Sequence, residues 1–141
     1  MARIKLVAPQ SFHISTKMKV RITDLNYGNH LGNDSLLALI HQARIDFLQH
    51  YGYTELDVEG VGLIMSDVAI QFKNEAFCGD ELIFEMTAYD FMATSFDLFY
   101  CIIRESDKKL IAMAKTNMVC FDYVSRTMKE VPKAFAELFD I

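Results

Sequence analysis

A chain of 141 residues fits one domain, spanning residues 1–141, with room for a real hydrophobic core. Its net charge of −5 and dispersed Lys and Arg argue against nucleic-acid binding. No apolar run reaches the roughly 18–20 residues that cross a bilayer, so no membrane span is expected.

Other features narrow the class further. The apolar fraction of 52% and a mean hydropathy just above zero point to surface that a second copy covers. The first residues carry scattered charges and no apolar h-region, so a signal peptide is not expected. Cys78, Cys101 and Cys120 are odd in number and lack CxxC spacing, which reads as free thiols in a reducing, cytoplasmic compartment. The sequence has no HExxH or Cys/His ligand spacing, no Gly-rich phosphate loop and no GxSxG elbow. No metal or cofactor is therefore expected.

Residues 10–23 alternate cleanly. Phe12, Ile14, Met18, Val20 and Ile22 point one way, and His13, Ser15, Lys17, Lys19 and Arg21 the other, which predicts a half-buried strand ending near Asp24. A turn rich in Gly and Asn follows, and Asn33 or Asp34 can cap the next element by accepting from free first-turn N–H groups. Leu36, Leu37, Leu39, Ile40, Ala43, Ile45, Phe47 and Leu48 make a helix that is apolar around much of its circumference and hence buried. Gly52 ends it.

An acidic connector with Glu55, Asp57 and Glu59 leads to four further strands, at about residues 63–72, 81–91, 95–104 and 110–123. Short links between them predict an antiparallel meander. Pro132 opens a short last helix whose Phe135, Leu138 and Phe139 can pack back on the fold. One sheet around one apolar helix is an α+β domain with an open edge, which a second copy would satisfy.

The turn collects side chains of catalytic type. Asp24 reads as an Asx turn or as a base. If the strand continues, it shares a face with Asn26. His30 carries an imidazole, the side chain suited to proton transfer near neutrality, or it holds the loop backbone. The helix start at Asn33 offers N–H groups and the positive end of a dipole to a carbonyl oxygen. Gly28 and Gly32 let backbone approach a ligand or simply make the turn, and Asp34 reads as a cap. Ser66 and Asp67 interrupt an apolar strand, Asp67 sharing a face with Met65 and Ala69. They are solvent-facing or contribute to a site at a dimer interface. Arg44, Lys73, Arg104, Lys108, Lys109 and Arg126 are the cations open to phosphates.

At residues 24–33 the run Asp24-Leu-Asn26-Tyr-Gly-Asn-His30-Leu-Gly-Asn33, followed by Ala43-Arg44, resembles hotdog thioesterases of the 4-hydroxybenzoyl-CoA thioesterase type. Their pattern is Arg-x-x-Asp-x-Asp-x-x-Gly-His-Val-Asn-Asn. The Asp-Leu-x-x-x-x-His stretch is also similar to plant acyl-ACP thioesterases. Residues 66–80, residues 119–123 and Val131-Pro132 match the family's strand-loop-turn, last strand and final helix start.

The resemblance implies the hotdog fold, an acyl-CoA or acyl-ACP substrate hydrolysed to acid and thiol, and a homodimer or homotetramer. It also places a catalytic aspartate where this chain has Asn26. An amide cannot attack or deprotonate, but it can donate to a carbonyl. The roles implied are Asn26 and the helix-start N–H groups on the carbonyl, with His30 or Asp24 activating water. The alternative is a non-hydrolytic acyl-thioester binding protein that has lost its carboxylate at Asn26; a hydratase using His30 ranks last.

Overall fold

The computed structural model describes residues 3–139. In chain order the elements are β1 (Ile14–Lys19), α1 (Asn33–His50), β2 (Gly62–Phe72), β3 (Glu81–Tyr89), β4 (Ser95–Arg104), β5 (Leu110–Asp122), β6 (Thr127–Met128) and α2 (Lys133–Ala136), with single 3-10 turns at Ile22–Asp24 and Glu137–Phe139.

The alternating strands form one antiparallel sheet in the order β1-β3-β4-β5-β2, with β6 a short addition to β5. One face turns inward. It carries Leu82, Phe84 and Met86 from β3, Phe96, Leu98, Tyr100 and Ile102 from β4, and Ala112, Ala114 and Met118 from β5, all buried. Against that face lies α1, whose Leu36, Leu39, Ile40, Ala43, Phe47 and Leu48 are buried in the same cluster. This is the hotdog arrangement, and its class is α+β, as the order of elements led us to expect.

The C-terminal segment completes the core. Phe135 packs at a tilt against Phe96 with ring centroids 4.8 Å apart, and Phe139 stacks on Phe47 at 5.6 Å. Leu138, expected to pack with them, is largely exposed. The 3-10 turn it shares with Phe139 sends the two side chains in different directions, and only one meets the core.

Three expectations need correction. The first strand is shorter than its alternation suggested: it ends at Lys19, and a 3-10 turn takes up Ile22–Asp24. The four later strands are not a simple meander. Only β3, β4 and β5 are hairpin neighbours, while β2 pairs with β5 at the far side of the sheet. The link at residues 73–80 runs along the sheet end instead of turning tightly, held by Lys73 N–H to Ile111 O (2.8 Å) and Gly79 N–H to Val20 O (2.8 Å). Helix α1 begins at Asn33 but is capped by Gly32 in extended backbone, with no side-chain cap, instead of by Asn33 or Asp34.

The position of β2 leaves a long edge strand. Ile64, Met65, Val68 and Phe72 on it are 36–54% exposed, next to Leu37 of α1. A β-bulge at Ser66 shifts the register between Met65 and Asp67.

Candidate active site

The loop between β1 and α1 is built from two short turns. Asp24 closes the first: its carboxylate accepts from the Arg21 backbone N–H at 2.8 Å and from Nε and Nη2 of the same residue at 3.2 and 3.1 Å. Burial works to raise its pKa, but the hydrogen bonds and charge of Arg21 outweigh burial and hold the carboxyl below its ordinary value. Asp24 is only 4% exposed, so all of its acceptor capacity is turned inward to Arg21. The shared strand face with Asn26 does not form, because the strand has already ended.

Asn26 opens the second turn. Its Oδ1 accepts from Gly28 N–H at 2.9 Å, an Asx turn, while its backbone N–H donates to His30 O at 2.9 Å. The Gly28 N–H fixes which end of the amide is oxygen, so Nδ2 is the end left to donate. The His30 ring lies on Gly28. A Cβ there would stand 3.1 Å from Nε2, and Nδ1 sits 3.4 Å from Leu31 O. Both ring nitrogens are thus near loop atoms.

The loop then feeds α1. Gly32 N–H donates to Asp24 O at 3.0 Å, and Asn33 Oδ1 accepts from Asp34 N–H at 2.7 Å. With no side chain capping the helix, its first turn keeps donors for a guest. Asn26, Tyr27, His30, Asn33 and Asp34 form one wall of a cavity of about 820 Å³. The apolar floor is Leu31, Leu36 and Ile111. The rest of the lining is Phe72, Lys73, Asn74, Glu75 and Ala76, pinned to the loop by Leu31 N–H to Ala76 O at 2.8 Å. Donors at a helix start beside an apolar hollow can receive the oxygen of an acyl group and its chain together.

The structure therefore brings Asn26, His30, Asn33 and Asp34 together, with Gly28 under the imidazole. Asp24 is not on the cavity wall. Neither are Ser66 and Asp67. Ser66 Oγ donates to Asn117 Oδ1 at 2.6 Å, and both residues are exposed on β2. The bulge puts Asp67 opposite Asn117, on the face of Ala69 and away from Met65, which pairs with Met118 on the inner side. Of the lining at residues 72–76 the sequence marked only Lys73, as a cation open to phosphates; Phe72, Asn74, Glu75 and Ala76 were missed, although Lys73-Asn74-Glu75 directly after an apolar strand was the available signal.

A smaller hollow of about 330 Å³ adjoins, lined by Asp34, Leu37, Ala38, His41, Arg44 and Met65. Arg44 is not a surface cation. It is buried, and its Nε donates to Glu55 Oε2 at 2.7 Å while Nη1 lies 3.4 Å from Tyr100 OH. Glu55 also meets His41 Nε2 at 2.8 Å. Burial works to raise the Glu55 pKa, but Arg44 and His41 hold it below its ordinary value. Arg104 is likewise held by Asp80 and Asp107, which leaves Lys73 as the cation on the large cavity's wall.

Cys78 is an exposed free thiol; Cys101 and Cys120 are buried, which pushes each thiol up to about 11. Among the described residues no helix is long and apolar enough to cross a membrane, and no cluster of His, Cys, Asp or Glu could hold a metal ion.

A sheet wrapped on one helix, with polar groups gathered at that helix's start, defines the hotdog class. The sequence pattern of the thioesterase-like superfamily matches residues 20–139, and the chain belongs to that family. Among solved structures it is similar to a 1,4-dihydroxy-2-naphthoyl-CoA thioesterase from Synechocystis, with TM-score 0.79 and 21% identity over 89% of this chain and 93% of that one. A thioesterase-superfamily protein from Jannaschia sp. CCS1 gives TM-score 0.82 and 18% identity over 93% and 83%. A gentisyl-coenzyme A thioesterase gives 0.76 and 17% over 87% and 99%. Among curated proteins, none matches the chain.

Proposed function

We propose that this protein hydrolyses an acyl thioester of coenzyme A or acyl carrier protein, of the 4-hydroxybenzoyl-CoA thioesterase type, releasing free acid and thiol. The observation that carries the reading is the wall formed by Asn26 and the first turn of α1, which no side chain caps, over an apolar hollow. Donors placed there stabilise the oxyanion that forms when water adds to the thioester carbonyl. Family membership supports the reaction class. Asp24 and His30 act on the loop in this account. Asp24 ties its entry to Arg21, and His30 lies on Gly28 beside the carbonyl site. Lys73 faces the carrier's phosphates.

The working unit is a homodimer or homotetramer in the cytoplasm. The long apolar edge of β2 supports it, since such an edge in water invites a second strand. A second reading, a binder without turnover, draws on one fact: Asn26 is not a carboxylate.

Thiol release from a panel of aliphatic and aromatic acyl-CoAs, by wild type and Asn26→Asp side by side, separates the two. The hydrolase reading expects turnover by wild type and a slower variant, because a carboxylate at position 26 cannot donate to the oxyanion. A silent wild type with an active Asn26→Asp would establish the binder instead.

A further inference from the structure

The site above can polarise a carbonyl, and water must still be deprotonated; of the two groups marked by the sequence, Asp24 is off the cavity wall and His30 is on it. Asp24 spends its carboxylate on Arg21, buried behind the loop. His30 keeps Nδ1 3.4 Å from Leu31 O, and its Nε2 has no hydrogen-bond partner among the described residues.

The cavity wall carries two carboxylates, Asp34 and Glu75. Glu75 belongs to the link after β2 and not to the helix start. Asp34 is the second residue of α1, directly beside the N–H groups that would receive the carbonyl oxygen. Asp34 also lines both the large cavity and the smaller hollow next to it, so it stands where the two join. Its backbone N–H bonds Asn33 Oδ1, and its carboxylate meets no hydrogen-bond or ion-pair partner among the described residues.

Gly32 explains how the carboxylate reaches the site. A Cβ on Gly32 would stand 2.8 Å from Asp34 Oδ1 and 3.4 Å from Asn26 Cβ. Both the Asp34 oxygen and the Asn26 side chain therefore border the one point where a side chain at position 32 would stand. A residue with a side chain at that point would crowd them.

We infer that Asp34 is the general base, taking over the proton transfer that Asn26 cannot perform. This assignment rests on the hydrolase reading above. The Asp34 carboxylate accepts one proton from water as the water oxygen bonds to the thioester carbon. The resulting oxyanion is held by Asn26 Nδ2–H and the first-turn N–H groups. Collapse of that intermediate breaks the C–S bond, and the thiolate sulfur takes the proton back from Asp34. One thioester and one water become one acid and one thiol, and the carboxylate is regenerated.

The test compares wild type, Asp34→Asn, Asp34→Glu and Asn26→Asp/Asp34→Asn on an acyl-CoA that the wild type hydrolyses. Binding is followed by calorimetry with a non-hydrolysable thioether analogue of that acyl-CoA. General-base catalysis contributes about 10²–10⁴-fold, so Asp34→Asn is expected to lose that much kcat while its affinity for the analogue stays within about threefold. Asp34→Glu keeps a measurable part of the rate, and the double variant stays at or below the rate of Asp34→Asn, because a carboxylate at position 26 cannot donate to the oxyanion. A purely structural Asp34 would move thermal stability and leave kcat in place. Asp34→Asn with kcat within about threefold of wild type overturns the assignment while leaving hydrolysis intact. A wild type silent on every acyl-CoA overturns the hydrolase reading and this assignment together. Asp34→Ser supplies the same kinetic comparison if Asp34→Asn fails to fold.

Discussion

Arg44→Met probes the pair that fastens α1 to the acidic connector. The Arg44 side chain is 6% exposed and Glu55 25%, with 2.7 Å between Nε and Oε2. Removing one member of a buried pair costs about 3–5 kcal/mol because a charge is left without its partner. Two features lower that figure here: Glu55 keeps some water contact, and it keeps His41 at 2.8 Å. Tyr100 OH also retains Thr116 Oγ1 at 2.9 Å. The expected loss is therefore about 2–3 kcal/mol, at or just under the lower limit of the buried-pair range. For a domain of this size that lowers Tm by about 7–10 °C.

The same variant changes the acid response. Arg44 and His41 lower the Glu55 pKa in the folded chain, so this stabilisation is present above its ordinary 4.5 and lost as pH falls through the lower folded value. Urea unfolding at neutral pH and at stepwise lower pH reads both effects. Wild type should lose stability across that window, and Arg44→Met should lose less, having already given up most of the coupling. Adding Glu55→Gln to Arg44→Met should recover about 1–2 kcal/mol by removing the stranded charge. A loss below about 0.5 kcal/mol in the single variant, typical of exposed pairs, would refute the claim that this bridge holds the connector.

Two further perturbations test the frame around the site. Phe135→Ala removes a fully buried ring that packs on Phe96, Phe91 and Phe139; about 3–5 kcal/mol should be lost in denaturant unfolding, and a loss under 1 kcal/mol would mean the last helix is not part of the core. Val68→Lys puts a charge near the centre of the exposed edge strand. For the proposed homodimer, sedimentation velocity should show a shift from dimer toward monomer, because a lysine on an edge blocks strand addition; an unchanged dimer would place the interface elsewhere.

The strands and the long helix were legible because their apolar spacing is local information. Their neighbours were not. Period-two alternation marks β2 as a strand, but nothing within it says that it pairs with β5 instead of β3, and the outcome depends on how residues 73–80 cross the sheet end. The overlong first strand has a different cause. Val20 and Ile22 continue the apolar alternation, yet Asp24 reaches back to the Arg21 N–H and closes a turn, so a short-range hydrogen bond overrides the pattern.

The site divides in the same way. Asn26, His30, Asn33 and Asp34 lie within one loop and helix start, so sequence proximity placed them together. Lys73 and Glu75 reach the cavity only through the crossover of the chain after β2. The bulge at Ser66 reversed the face assigned to Asp67 relative to Met65, and a one-residue insertion in a ladder leaves no composition signal.

The central claim is that Asn26 serves as a donor to a developing oxyanion. Steady-state thiol release by Asn26→Ala against wild type, on one acyl-CoA that the wild type turns over, tests it most directly. Loss of one such donor should lower kcat by about 10²–10³-fold with little change in KM. A kcat within about threefold of wild type, or a fall in activity carried wholly by KM, would contradict the account.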